Sequence, residues 1–393
     1  MTAFFRLLGE GFRVFFLSAG LFAVLAIGLW TWWLARPFDL PASSPVDWHA
    51  HEMIFGYATA ALGGFFLTAV PNWTGARAAR HVFIGMVAAL WLAGRIAIFW
   101  SGLVPPVVVA VVDLAFLPVL AAKIATQLIR RPKPQNVMFL ALLAILWTAN
   151  LFVHLEWTGV TGDTAQRGLH AGLYLLVALI AVLGGRITPA FTRNAMTRTG
   201  RESGLPRSFA GLDAPAIAAA IALPLATLAA LPGAVTGTLA LVAGTGQIAR
   251  LAFWRPGFTR AQPILWSMHL AFALLGLGLI LTGLAQLGLG DPVAALHVLA
   301  IGGVGGMTLA VMSRAALGHS GRRLVAPTSL ALAYGLLPAA MLFRYAASAW
   351  TVFYFPGVLI SSVLWILAFT LFVQSLWPAF MGMHNVSEED AGK

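Results

Sequence analysis

Residues Trp48–Val70 read WHAHEMIFGYATAALGGFFLTAV, and this run decides the fold. From position 53 to position 70 no charged side chain interrupts it. An α-helix rises 1.5 Å per residue, so about 20 such residues cross a hydrocarbon layer of ~30 Å. The run opens with His49, His51 and Glu52 at the edge of the apolar stretch. An ionised group in a span costs ~2.5–3.5 kcal/mol even on tolerant scales, so polar residues kept there tend to mark function.

The rest of the chain repeats the pattern. Hydrophobic residues make up 60% of the 393 positions and charged residues 9%, with a mean hydropathy of +0.87. A soluble domain carries about 25% charged residues. Apolar runs of spanning length fall at 14–34, 49–70, 82–101, 107–128, 137–157, 166–186, 210–231, 236–254, 262–285, 293–313, 327–348 and 357–377. The expectation is an all-α polytopic membrane protein of about twelve transmembrane helices. A single transmembrane domain is read over 1–385, followed by a short acidic tail at 386–393 with Glu388, Glu389 and Asp390.

Basic residues gather in alternate loops: Arg6 and Arg13; Arg77 and Arg80; Arg130, Arg131 and Lys133; Arg193, Arg198, Arg201 and Arg207; Arg255 and Arg260; Arg322 and Arg323. The loops between are nearly free of them. By the positive-inside rule both termini face the cytoplasm and the number of spans is even. The net charge of +11 is then a matter of topology, and no nucleic-acid partner is implied. The first span lacks a cleavage site and is read as retained. With no cysteine, disulfides, iron–sulfur clusters, thiolate-ligated haem and covalently attached c-type haem are excluded. Any metal is held by His, carboxylate, Met or backbone groups, and any haem is non-covalent.

Five of the nine histidines, His49, His51, His154, His170 and His297, fall where spans meet the outer face in this topology. One histidine at a span end is ordinarily an interfacial residue bonded to a carbonyl. Five at one level point to a set of metal or haem-iron ligands, because neutral imidazole is the commonest biological ligand. His49 and His51 stand two apart, about 200° around a helix, and should serve different partners. His49 shares a helix face with Glu52 and Met53. His269 lies at a different depth and reads as a packed core residue; His81 and His319 lie in loops and His384 in the tail.

Three spans open with a histidine and then carry paired glycines: His51 with Gly63–Gly64, His170 with Gly184–Gly185, and His297 with Gly302–Gly303 and Gly305–Gly306. Four spans fit in each interval, suggesting three four-helix units around a pseudo-threefold axis. Paired glycines allow close helix approach or room for a flat cofactor. Arg95 and Arg344 are candidates for carboxylates such as haem propionates, although Arg95 can equally be neutralised by Asp113.

The runs Trp48–Tyr57, Leu67–Gly75, Gly185–Thr192, Met307–Arg314 and Leu317–Arg322 resemble the signature blocks of the NnrS family. The resemblance implies a twelve-span haem protein, in some members also containing copper, associated with nitric oxide metabolism and nitrosative-stress resistance in bacteria. A looser architectural similarity is to haem–copper oxidase and nitric oxide reductase catalytic subunits. These have twelve spans in three arcs, with haem-ligating histidines on spans two and ten and metal ligands on spans six and seven. Here His51, His170 and His297 fall on spans two, six and ten, but span seven has no histidine.

On this basis the chain is expected in the bacterial inner membrane, binding haem b near the outer face. His51 and His297 are the leading axial ligands, His170 the next, and copper a second expected metal. The expected reaction is removal of nitric oxide in a nitric oxide reductase-like manner, by reduction to nitrous oxide. Glu52 and Glu156 would supply protons and a quinol or other membrane donor the electrons. The alternatives are a haem or nitric oxide sensor or carrier without turnover, and a secondary transporter, whose polar groups would gather at the bilayer midplane.

Overall fold

The computed structural model describes residues 3–36, 41–130 and 132–382; the tail expected at 386–393, with His384 before it, lies outside them. The main helices are α1 Gly11–Ala35, α2 Pro45–Thr74, α3 Val82–Phe99, α4 Pro106–Leu128, α5 Pro134–Trp157, α6 Ala165–Arg198, α7 Ala210–Leu228, α8 Gly233–Ala252, α9 Pro263–Gln286, α10 Pro292–His319, α11 Thr328–Ala349 and α12 Thr351–Phe380. Five of them begin on proline, whose fixed φ and missing N–H suit the first helical position. Among the described residues, eleven helices are long and apolar enough to cross a membrane. The remaining one, α8, reaches 20 residues, but Thr236, Thr238, Thr245, Gln247 and Arg250 dilute its apolar surface.

The helices divide into two compact units. The first comprises residues 1–147, 311–329 and 369–393. Its core is aromatic: Phe12, Phe15, Phe16, Phe66, Phe139, Phe372 and Phe380 are fully buried. Gly64 lets α2 close on α1, since a Cβ there would lie 2.6 Å from the Phe16 ring. In α4, Pro118 cannot donate to the carbonyl of Leu114. The helix breaks at Ala115, and the indole N–H of Trp147 supplies the missing donor at 3.1 Å. Arg6 and Arg13 donate to the carbonyls of Met381, Ala379 and Phe380, capping the end of α12.

The second unit comprises residues 148–310 and 330–368. At its centre runs α6, with 89% of its most apolar stretch buried. Helices α8 and α9 touch backbone to backbone through Gly237 against Gly283 and Gly244 against Gly276, the close approach that small residues permit in membranes. The paired glycines of the sequence motif likewise meet side chains of neighbouring helices within their own unit: Gly184 faces Met307, Gly302 and Gly303 face Leu274 and Leu275, and Gly305 faces the ring of Trp365.

Candidate metal centre

The decisive stretch is built in three parts. Ser44 caps the start of α2, its hydroxyl accepting from the N–H of Asp47 at 3.1 Å, and Pro45–His51 form regular α-helix. From Glu52 to Ala58 the helix widens into π geometry. It then returns to α at Thr59. Such π segments are rare, and they frequently sit at functional sites because they turn side chains out of the ordinary register.

His51 stands at the junction, completely buried. Its Nδ1 lies 3.0 Å from the Glu52 carboxylate and its Nε2 lies 3.4 Å from Asp113 Oδ2 on α4. Arg95, on α3, donates through Nη1 to Glu52 Oε1 at 2.5 Å and through Nη2 to Asp113 Oδ1. All four side chains are buried. Two glycines admit them: a Cβ on Gly56 would lie 2.8 Å from Arg95 Nη1, and one on Gly94 would lie 3.0 Å from Asp113 Oδ1. The Gly56 carbonyl, in the π segment, accepts from the Trp91 indole N–H at 2.9 Å.

With two carboxylates and one guanidinium, the group carries one uncompensated negative charge when His51 is neutral. In a buried site this imbalance is expensive, and a proton or a bound cation removes it. A carboxylate on Nδ1 that fixes the ring and leaves Nε2 to face a second oxygen ligand is the arrangement of metal-ligating histidines. His51 and Asp113 therefore supply a histidine–carboxylate donor pair able to hold a metal ion.

Both Arg95 and Asp113 lie here, and the ion pair expected of them is present. Glu52, expected on the His49 face, instead pairs with His51, because both turn toward Arg95 at the start of the π segment. His49 does serve a different partner, stacking on the indole of Trp30 with ring centroids 4.6 Å apart.

The other predicted residues occupy the second unit. His154 is buried on α5, edge-on to Trp157 at 5.6 Å. The Glu156 carboxylate accepts the backbone N–H groups of Thr164 and Ala165 at 2.6 and 2.7 Å, so it caps the start of α6. His170 and His297 share one geometry. Each ring Nδ1 lies 2.7 Å from the carbonyl four residues earlier, Gln166 or Val293, so in the neutral ring Nδ1 carries the proton and the lone pair is on Nε2. Arg344 donates to the Ser348 hydroxyl at 2.6 Å and lies over the Tyr354 ring.

A second buried polar cluster escaped the sequence reading. Arg250 donates through Nε to Asp213 at 2.7 Å and through Nη1 to the Ala181 carbonyl and Gln247. The signal was present: Asp213 opens α7 and Arg250 ends α8, so two consecutive antiparallel helices bring opposite charges to one level.

The family model described as NnrS protein matches residues 6–383, nearly the whole chain. A search of curated proteins finds no match.

Proposed function

Because the chain belongs to the NnrS family of nitric oxide-related membrane proteins, a family associated with metal and haem binding, we propose that it removes nitric oxide at a metal centre held by His51 and Asp113. The carrying observation is the His51 ring between two carboxylates in a fully buried site. A bound iron or copper ion would supply the coordination and electron transfer that nitric oxide chemistry needs. Glu52 orients the His51 ring through Nδ1 and holds a proton acceptor beside the centre. Arg95 keeps both carboxylates in place and offsets their charge.

Haem b is the second cofactor of this reading. His297 and His170 are suited to ligate its iron through Nε2, since their Nδ1 atoms face carbonyls that fix the tautomer, and Arg344 is a cation of the kind that pairs with a propionate. The buried His154 belongs to the same ligand candidates by its chemistry. Reduction of two nitric oxide molecules to nitrous oxide consumes two electrons and two protons; the electrons come from a quinol or another membrane donor. The distribution of arginines supports an inner-membrane location with both termini in the cytoplasm.

Absorption spectra and anaerobic nitric oxide consumption of the purified protein test the proposal. A Soret band and reductant-dependent consumption are expected, with consumption reduced at least ~10²-fold in His51→Gln. Full consumption in both His51→Gln and Asp113→Asn would refute the assigned centre.

A further inference from the structure

Around Arg250 the second unit has hydrogen-bond donors without acceptors. Arg250 is 3% exposed, and its guanidinium lies so close to Gly185 that any side chain there would collide with Nη2. Nε and Nη1 are engaged, whereas Nη2 makes no hydrogen bond among the described residues. Trp254, whose ring lies 5.4 Å below the guanidinium, has a buried indole N–H without an acceptor, and Thr188 has a buried hydroxyl without a partner. Thr188 follows Gly185 by one turn on α6, and Pro189 deprives the Gly185 carbonyl of its helical donor. Leaving several donors and an acceptor unmet in one region costs about 1–3 kcal/mol each. Water, which both donates and accepts, satisfies such a set when two to four polar partners surround it.

The cluster continues to His269, which is 4% exposed. Its Nδ1 lies 2.9 Å from the Leu265 carbonyl and its Nε2 lies 3.3 Å from the Trp254 carbonyl and 3.5 Å from the Thr192 hydroxyl. Two carbonyls match an imidazolium, which donates from both nitrogens; a hydroxyl beside Nε2 matches the neutral ring, which accepts there. The same contacts thus accommodate both protonation states. The single hydroxyl proton of Thr192 goes to the Thr188 carbonyl at 3.0 Å, and rotation about its Cβ–Oγ1 bond turns it to His269 Nε2. Further charged groups on the neighbouring elements are Arg186, Arg193 and Arg198 on α6, Arg201, Glu202 and Arg207 in the loop that bonds to the Phe253 carbonyl, and Arg255 and Arg260 in the segment before α9. Asp213, on α7, is the acid of the cluster and is one-fifth exposed.

We propose that this region is a hydrated proton relay, with water as the ligand of Arg250 Nη2, Trp254 Nε1 and Thr188 Oγ1, Asp213 as the group in exchange with solvent, and His269 as the buried group that stores a proton. A proton taken up by the Asp213 carboxylate passes to the bound water. The Thr192 hydroxyl turns its proton from the Thr188 carbonyl to His269 Nε2 and takes a proton from the bound water in its place. No bond between heavy atoms changes and no electron moves. The relay stands independently of the metal centre, because its readout is on His269 itself.

Nitrogen-15 NMR of the histidine-labelled full-length protein in bilayers, with the His269 signals identified through His269→Gln, provides the test. His269 should be detected in both its neutral and its cationic form as the pH is varied. Asp213→Asn should slow proton exchange at its ring at least ~10-fold, and Thr192→Val should slow it further. Trp254→Phe, which keeps the aromatic packing, should remove a bound-water band from the infrared spectrum in H₂¹⁸O difference measurements. A single His269 protonation state at every pH at which the protein stays folded, or exchange as fast as wild type in folded Asp213→Asn and Thr192→Val, would overturn the relay. If Asp213→Asn does not fold, Thr192→Val and Trp254→Phe carry the test.

Discussion

Helices α2 and α10 are built alike and used differently. Each begins with a capped proline turn, Ser44–Pro45 in one and Asp291–Pro292 in the other. Each reaches a histidine at the end of a short α segment, His51 or His297, and then widens into π geometry over Glu52–Ala58 or Val298–Gly305. Each narrows again through glycine-containing backbone. The surroundings of the histidines diverge. His51 is fully buried among Glu52, Asp113 and Arg95, while His297 is half-buried and anchored on its own helix by the Val293 carbonyl. The scaffold alone therefore does not define the chemistry; Glu52 on α2, with the guanidinium and carboxylate supplied by α3 and α4, does.

The largest expected effect lies in the charged group that α10 lacks. Arg95→Leu leaves two buried carboxylates without their cation and should cost ~3–5 kcal/mol, read as a sharply lowered thermal midpoint in detergent. Arg344→Leu, at a half-buried arginine, should lower it far less. If the two variants lose equal stability, the contrast fails.

The π segments give the next comparison. Gly56→Ala drives a methyl group against Phe22 and Arg95 and should cost ~1–3 kcal/mol. It should also loosen the ion pairs, visible as faster hydrogen exchange in α3. Gly305→Ala drives its methyl group first against the Trp365 ring; it should cost a similar amount, with no charged atom among its nearest neighbours. The smallest effect concerns the shared part. Ser44→Ala and Asp291→Ala each remove one cap and should each cost ~1 kcal/mol, with little difference between them.

The spans were legible because apolar length is written directly in composition, and the Arg95–Asp113 pair was legible because two opposite charges fall at one depth on adjacent spans. The separation of His49 from His51 followed from helical spacing, which holds because Pro45–His51 is regular α-helix. The place of Glu52 was not legible. It depends on a π segment, and nothing in the local residue types distinguishes that geometry from α. The shared histidine-and-glycine pattern of α2, α6 and α10 was visible, yet α6 runs as uninterrupted α-helix from Ala165 to Arg198. Arg250 was masked by its position at a span end, where arginines ordinarily report topology, and its partners Gln247 and Asp213 become meaningful only when α7 and α8 are seen side by side. Glu156 is legible as an acid at a span end, the feature that makes it a candidate proton donor; its capping of the next helix shows only once Thr164 and Ala165 are in place.

Metal analysis of the purified protein tests the central claim most directly. Wild-type protein should retain a metal ion that X-ray absorption shows to have nitrogen and oxygen neighbours, and His51→Gln and Asp113→Asn should each lose it while remaining folded. Unchanged metal content in both folded variants would contradict the assignment of His51 and Asp113 as ligands.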